Sequence, residues 1–250
     1  MIPKIIHLCW ISGEAYPPMV QRCIESWEKQ LPDYKIMIWD RDKANAINRQ
    51  WVSQSVEKRK YAFAADYIRL HALYHFGGIY LDADVEVIKP FGSLLNHKMF
   101  IGLDYNGYFE PAIIGAEPQH RWIGQLLEYY NDRPFVLPNG NCDIRPLPDI
   151  FGESGLKDFD FSPSGEVQPI NNGEIIIYPY DFFPPNSEYF RTIKTTANTF
   201  TIHHFEGSWV NKGWKFHLKN AVHRSLIRLG GRQFHQNAVQ QYRNWITHSR

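Results

Sequence analysis

A short strand that ends on two acidic residues constrains this chain more than any other feature. Residues 77–84 read Gly-Gly-Ile-Tyr-Leu-Asp-Ala-Asp and directly follow a helix predicted over Tyr61 to Phe76. That helix has an apolar stripe of period 3.6, and a glycine provides the left-handed conformation that ends it. This order of elements predicts an α/β domain in which Asp82 and Asp84 lie at the carboxyl end of a strand.

The two aspartates have the spacing of metal ligands. Side chains two positions apart in a strand face the same side, so the carboxylates of Asp82 and Asp84 can converge on one ion. Oxygen ligands that leave coordination positions open suit Mn²⁺ or Mg²⁺, which also bind phosphate oxygens. The alternative for this pair, taken by itself, is two solvated aspartates in a turn.

Other segments agree with an α/β fold. Lys4 to Trp10 and Tyr34 to Trp39 are predicted strands, and a helix is predicted between them after Pro17-Pro18. Strand, helix and strand in this order indicate a βαβ unit and a parallel sheet. Further elements are predicted as strands at 99–103, 112–115, 175–178 and 199–202, a helix at 121–130 and a loop at 139–168.

The net charge of +1 conceals an uneven distribution. Residues 207–250 hold eight Lys and Arg and no Asp or Glu, so this tail carries +8 and the rest of the chain −7. Phe216 to Leu229 has the pattern of a basic amphipathic helix, which predicts contact with an anionic membrane surface. The alternative is a basic helix packed on the domain. Nucleic-acid binding is not expected, because no recognition motif accompanies the charge.

The domain boundary is placed by this change in charge. We expect a catalytic domain over residues 1–210 and a basic helical tail over 211–250. The N-terminal apolar run is too short for a signal peptide, and the three cysteines have no metal-ligand spacing. These features predict a cytoplasmic protein at the inner face of the cell membrane.

Four blocks of sequence, taken together, are more specific than any one of them. They are Ile2-Pro3-Lys4-Ile5-Ile6-His7 through Trp10, Phe63-Ala64-Ala65-Asp66-Tyr67-Ile68-Arg69, residues 77–84, and His203-His204-Phe205-Glu206-Gly207-Ser208-Trp209. They resemble the DXD sugar transferases of glycosyltransferase family 32, of the capsular-polysaccharide and yeast initiating-mannosyltransferase type. More distantly, they are similar to the glucosyltransferase domains of large clostridial toxins. The resemblance covers roughly residues 1–210.

The resemblance implies a GT-A fold, with a Rossmann-like domain whose mostly parallel central sheet is flanked by helices. It implies a metal-dependent, retaining transfer of a sugar from a nucleotide sugar to a glycan acceptor in surface or capsular polysaccharide synthesis. UDP-sugars are the favoured donors, galactose or N-acetylglucosamine first, and GDP-mannose stays open. The expected acceptor is a lipid-linked oligosaccharide or another glycan.

The resemblance also implies roles for residues on the donor side. Asp66 would accept hydrogen bonds from donor-sugar hydroxyls, and Arg69 would contact sugar or diphosphate. The alternative for these two, three apart on one helix face, is a surface ion pair. Trp10 would stack on the base, and the hydroxyl of Tyr80 would reach the donor. For both aromatic residues, packing in the core is the competing interpretation.

On the metal side, Asp84 would bind the ion and Asp82 would bridge the ion and the ribose. One histidine of the last block would complete the metal site, and we prefer His204, at the strand end, to His203. Ser208 and Trp209 would contact the diphosphate from a closing loop. Asp104, after the strand at 99–103, is the best positional choice for a nucleophile, although a front-face route needs none.

Two other classes of function stay open at this point. Residues 79–85 also imitate the Asp-x-Asp loop of phosphatases of the haloacid dehalogenase type, in which the first Asp is the nucleophile. That loop usually lies near the N-terminus, whereas here it lies 81 residues in. It also requires a later Lys and an acidic metal-binding pair, and no convincing acidic pair is found. A non-catalytic sugar-binding module is the other alternative.

Overall fold

The computed structural model describes residues 1–105, 107–153, 165–185 and 195–205, together with residues 225, 228–230 and 234. The chain divides into two compact units, residues 1–185 with 194–205 and residues 186–193 with 206–250. All elements named below belong to the first unit. In the second unit, the few described residues are helical. The predicted boundary at 210 and the membrane-contacting tail therefore stay predictions.

The N-terminal part alternates strands and helices. Its elements are β1 (Ile5–Cys9), α1 (Pro18–Gln30), β2 (Lys35–Trp39), α2 (Arg41–Ala46), α3 (Gln50–Glu57), α4 (Tyr61–Phe76) and β3 (Gly78–Leu81). β1 pairs in parallel with both β2 and β3. The predicted βαβ unit is thus present, and β1 lies between β2 and β3.

Two glycines join α4 to β3 in a turn that other residues could not make. Gly77 has φ of 60° and Gly78 has φ of 105°, a region that side chains with a Cβ rarely adopt. A Cβ on Gly77 would lie 2.6 Å from Pro118 Cδ, and one on Gly78 would lie 2.6 Å from the carbonyl oxygen of Ile5. The tight turn keeps α4 against β3, which sets the distance between the helix face and the end of the strand.

The second part completes the sheet. Its elements are β4 (Val85–Val87), β5 (Met99–Leu103), β6 (Phe109–Ala116), α5 (Arg121–Glu128), α6 (Leu147–Glu153), β7 (Gln168–Ile170), β8 (Ile175–Tyr178) and β9 (Thr201–His203). The strand order is β2-β1-β3-β6-β5-β8-β7, and β4 pairs with β9 in a separate two-stranded sheet. Five of the seven strands run in one direction, whereas β6 and β7 run against them.

Helices cover both faces of the large sheet. Side chains of α4, α5 and α6 pack on one face together with Tyr80, and Trp27 of α1 packs on the other together with Ile79 and Leu81. The α/β fold with a mostly parallel, helix-flanked sheet is therefore confirmed for the described residues. Among these residues no helix combines the length and apolarity needed to cross a membrane.

Some boundaries differ from the prediction. β6 begins three residues before the predicted 112–115 strand, and α6 lies inside the segment predicted as loop. The sequence of α6 contains a proline and a glycine, which hid a short helix whose stability comes from burying Leu147, Ile150 and Phe151 in the core.

Candidate active site

The aspartate pair occupies the turn that leads from the large sheet to the small one. The backbone N–H of Asp82 donates to the carbonyl of Ala112 in β6 at 2.9 Å. The N–H of Val85 then donates to the carbonyl of Asp82 at 3.0 Å and begins β4. Both carboxylates are therefore held at a strand end by backbone hydrogen bonds, where α/β sheets bind ligands.

On the α4 side, a buried arginine connects the carboxylates. The Arg69 Nη2 atom lies 2.9 Å from Asp66 Oδ1 and 3.4 Å from Asp82 Oδ1. Its Nη1 donates to the carbonyl of Pro111 at 2.7 Å, and its guanidinium lies 4.5 Å from the ring centroid of Tyr80. Asp66 and Arg69 therefore form a buried pair in the sheet-facing part of the site, not the surface pair that was the alternative.

Burial shifts the pKa values of the ionisable side chains that surround Arg69. It raises the pKa of Asp66 to about 6, even though the neighbouring Arg69 lowers it. Burial also raises the pKa of Tyr80 well above its usual value, so the Tyr80 hydroxyl keeps its proton and donates to Asp82 Oδ1 at 2.7 Å. Asp66 is thus a carboxyl group that changes protonation close to neutral pH, beside a permanent cation.

On the opposite side of the turn, the small sheet brings a distant histidine to the aspartates. β4 pairs with β9 so that Val85 lies opposite His203, and the N–H of His204 donates to the carbonyl of Asp84 at 2.9 Å. The His203 Nε2 atom lies 3.4 Å from Asp84 Oδ1. One ligand atom from each of Asp82, Asp84 and His203 lies within 4.8 Å of the others.

This set of ligand atoms fits a divalent cation. Two carboxylate oxygens and one imidazole nitrogen suit Mn²⁺, and a site of three protein ligands leaves positions for substrate oxygens. Burial alone would lower the pKa of His203, but the carboxylates of Glu110 and Asp84 outweigh burial and raise that pKa well above its usual value. The pocket therefore favours a positive charge at this point, which a bound cation would supply.

The histidine beside the aspartates is His203, whereas the sequence favoured His204. The His204 Nε2 atom lies 2.8 Å from Glu86 Oε2 instead. The two rings face different sides, as expected for consecutive residues at a strand end. The antiparallel register of β9 on β4 decides which of the two rings faces Asp84. That register cannot be read from the spacing of residues in the sequence.

Glu110 is a residue of this site that sequence reasoning missed. Its Oε1 atom lies 3.3 Å from His203 Nδ1 and accepts a hydrogen bond from the N–H of Ala112 at 3.1 Å. The side chain is buried. An acidic residue at the start of the apolar run Ala112 to Ala116 was the available signal, because buried carboxylates require partners.

Comparison with known proteins agrees with this geometry. Residues 17–101 match the family model described as "Glycosyltransferase sugar-binding region containing DXD motif". This part of the chain is therefore similar to the sugar-binding region of DXD glycosyltransferases. It contains Asp66, Arg69 and both aspartates of the turn.

Curated relatives carry related names. The chain is 29% identical over 147 residues to inositol phosphoceramide mannosyltransferase 1 of Schizosaccharomyces pombe, covering 54% of this chain and 46% of the relative. It is 30% identical over 158 residues to the uncharacterized glycosyltransferase L373 of Acanthamoeba polyphaga mimivirus, covering 58% and 60%. It is 28% identical to mannosyl phosphorylinositol ceramide synthase SUR1 of Saccharomyces cerevisiae, covering 73% and 50%. The chain spans about half the length of the curated relatives it matches.

Solved structures of glycosyltransferases are similar at lower identity. PaToxG glycosyltransferase has 23% identity and a TM-score of 0.45, covering 63% of this chain and 69% of that one. The galactosyltransferase LgtC has 15% identity and a TM-score of 0.45, covering 87% and 95%. These TM-scores are too low to assign a fold. The α/β fold is assigned from the strand order described above.

Other predicted site residues lie outside the matched region, and among them Trp10 and Asp104 have different environments. Trp10 is half-buried, donates from Nε1 to the carbonyl of Glu14 at 2.7 Å, and meets the ring of Tyr16 edge-on at 4.9 Å. Asp104 accepts a hydrogen bond from the N–H of Tyr108 at 2.8 Å in the turn between β5 and β6. Ser208 and Trp209 lie outside the described residues.

Tyr80 lies beneath the aspartate pair and contacts it. Its side chain is almost completely buried, and its hydroxyl is directed at Asp82. In this arrangement the hydroxyl of Tyr80 holds the carboxylate of Asp82 in place through a hydrogen bond. The predicted contact of Tyr80 with the donor stays a prediction, and the hydroxyl contacts the residue that would bridge ion and ribose.

Proposed function

We propose that this protein is a divalent-metal-dependent glycosyltransferase that moves a sugar from a nucleotide sugar to an acceptor hydroxyl. The observation that carries the proposal is the convergence of Asp82, Asp84 and His203 within 4.8 Å. It lies beside Arg69, within and next to the matched DXD glycosyltransferase region. A divalent cation held there would neutralise the departing nucleoside diphosphate.

The protein's own groups would bind and orient the donor. Arg69 is fixed by the carbonyl of Pro111 and presents a permanent cation next to the aspartates, where negative charge develops on the leaving group. Asp66 offers carboxylate oxygens to sugar hydroxyls from the same helix face. Half-buried Trp10 keeps ring surface available for a nucleobase. Ser208 and Trp209 would contact the diphosphate.

The stereochemical part of the proposal is retention at the anomeric carbon. Asp104 stays the candidate nucleophile for a double displacement, although its hydrogen bond to Tyr108 already occupies one of its oxygens. A front-face route requires no carboxylate nucleophile. The anomeric configuration of the product, read by proton NMR, tests retention, and the Asp104→Asn variant tests the double displacement.

The donor and the acceptor are proposed from the sequence and from the names of the relatives. UDP-hexoses are the donors favoured by sequence, whereas two relatives are named for mannosyl transfer in inositol phosphoceramide synthesis, which supports GDP-mannose as the second donor to test. The same names support a lipid-linked acceptor. A role in surface or capsular polysaccharide synthesis is the wider proposal.

A donor screen tests this function. Thermal stabilisation by UDP-glucose, UDP-galactose, UDP-N-acetylglucosamine and GDP-mannose is measured with Mn²⁺, with Mg²⁺ and with chelator, and hydrolysis of the best donor is then followed. We expect one donor to stabilise and turn over with metal only. Turnover that is unchanged by chelator would overturn the metal-dependent function.

The same screen separates the two other classes. Turnover of an aryl phosphate without donor hydrolysis would favour a phosphatase, but the match of residues 17–101 to a glycosyltransferase region argues against it. Donor binding without hydrolysis or transfer would indicate a sugar-binding module.

We also propose that the basic segment 211–250 holds the protein on the inner face of an anionic membrane. Its support is the absence of Asp and Glu among residues 207–250, which leaves eight uncompensated basic side chains. Binding to phosphatidylserine vesicles should fall on replacing these basic residues by Gln and should fall with added salt. Binding that persists in this variant would contradict the membrane role.

A further inference from the structure

We propose that Glu110 is a positioning residue for His203: its carboxylate, 3.3 Å from Nδ1 of the imidazole, would accept the Nδ1–H when an ion binds and thereby direct Nε2 at the Asp82–Asp84 pair. This inference rests on the proposed metal-dependent function and names a residue that neither the DXD motif nor the matched region contains.

The geometry of the imidazole supports this role. His203 is buried between two carboxylates, with Nδ1 3.3 Å from Glu110 Oε1 and Nε2 3.4 Å from Asp84 Oδ1. A metal-binding histidine needs one ring nitrogen free of hydrogen and aimed at the ion, while the other holds the hydrogen and donates it. A carboxylate on the outer nitrogen fixes both the tautomer and the ring orientation.

Glu110 is itself held in place, which a positioning residue requires. Its Oε1 accepts from the N–H of Ala112, two residues along β6. The next carbonyls along this strand bind the rest of the site, because Pro111 accepts from Arg69 and Ala112 accepts from the N–H of Asp82. The start of β6 therefore fixes the histidine, the arginine and the first aspartate relative to one another.

The neighbouring histidine provides a matched control within the same chain. His204 Nε2 lies 2.8 Å from Glu86 Oε2, a closer imidazole–carboxylate pair than the 3.3 Å between His203 and Glu110. Glu86 is more exposed than Glu110, and His204 is not among the three converging ligands. If Glu110 acted only as a nearby negative charge, then Glu86, also close to the site, should have a similar effect.

The test measures Mn²⁺ affinity without donor, by electron paramagnetic resonance of free Mn²⁺ up to millimolar concentration. Glu110→Ala is expected to weaken Mn²⁺ binding by about 10–100-fold. Glu110→Gln keeps an acceptor oxygen for both contacts and should weaken binding less. Glu86→Ala should stay within about twofold of the wild type.

A double-mutant cycle then separates positioning from direct action on the ion. In a His203→Ala background, Glu110→Ala should have no further effect, because its route to the metal has been removed. An equal loss in both backgrounds would show that Glu110 acts on the ion directly and would overturn the proposal. Glu86→Ala matching Glu110→Ala would overturn it as well.

Two controls keep the outcome decisive. If Glu110→Ala fails to fold by circular dichroism, the same cycle is run with Glu110→Met, which fills the space but has no acceptor oxygen, and wild-type affinity in that variant overturns the proposal. If the wild type binds no Mn²⁺, the proposed metal-dependent function fails. If the wild type binds Mn²⁺ and only the Glu110 variants are unchanged, the positioning role alone fails.

Discussion

The two aspartates of the turn are two residues apart, but different parts of the chain hold them. Asp82 is supported by Tyr80 and Arg69, which lie within 13 positions of it in sequence. Asp84 faces His203, about 120 positions away, and depends on the pairing of β4 with β9. The α4 side, formed by Asp66, Arg69, Tyr80 and Asp82, is thus assembled from residues that are close in sequence. The β9 side, formed by Asp84, Glu110 and His203, is assembled only when β9 has paired with β4.

The two sides also differ in electrostatics. On the α4 side, Arg69 is a permanent cation that balances buried carboxylates in the absence of any ligand. On the β9 side, the carboxylates of Glu110 and Asp84 raise the pKa of His203, so this side favours a positive charge that a metal ion would supply. We infer that the α4 side is fixed in advance, and that the β9 side responds to the ion.

The largest effect is expected from Asp84→Asn, which removes a charged ligand from the β9 side. We expect donor hydrolysis to fall by roughly 10²–10³-fold in kcat/KM, with the free energy of unfolding changed by less than about 1 kcal/mol, since His203 keeps the carboxylate of Glu110. Asp42→Asn, at an exposed position of α2, is the control. Full activity of Asp84→Asn would remove the metal hypothesis.

The next largest effect distinguishes the two histidines. His203→Ala should weaken Mn²⁺ binding by about 10–100-fold, because it removes one of three converging ligands. His204→Ala removes only the contact with Glu86 and should change the affinity by less than about threefold. A larger loss in His204→Ala than in His203→Ala would mean that His204 is the ligand, as the sequence favoured, and that β9 pairs differently in solution.

The same comparison explains what the sequence could predict. The α4 side was predictable because its residues obey short-range rules: a three-residue helical spacing for Asp66 and Arg69, and a strand period of two for the aspartates. Glu110 and His203 were not, because their contact depends on the register of β9 and on where β6 begins. Likewise, α6 was hidden because its stability comes from tertiary burial of three side chains.

The free energy of unfolding tests whether burying the charge of Asp66 on the α4 side destabilises the folded protein. The pKa of Asp66 rises from 3.8 to about 6 on folding, so the folded state binds more protons between these values and stability falls as pH rises through this window. Asp66→Asn does not titrate. It should be more stable than the wild type by about 3 kcal/mol at pH 7.5 and by about 1 kcal/mol at pH 4.5, and nearly equal to it at pH 3, as measured by urea unfolding.

The same variant should lose donor turnover, because the proposed sugar-hydroxyl contact is weakened. A gain in stability with a loss of activity would identify Asp66 as a carboxylate kept for function. A net loss of stability at pH 7.5 would show instead that its pairing with Arg69 outweighs the burial of its charge.

The smallest effect is expected from Tyr80→Phe, which removes one hydroxyl beneath Asp82. A hydrogen bond to a charged group contributes about 1.5 kcal/mol, so the free energy of unfolding should fall by that amount and kcat/KM by about tenfold or less. Tyr61→Phe is the matched control, because its hydroxyl accepts from Arg41 at 2.8 Å on the surface. The control should lose less than about 0.5 kcal/mol. Equal losses in the two variants would show that the Tyr80 hydroxyl is no more important to Asp82 than a solvent-exposed contact, and that Arg69 alone holds the α4 side in place.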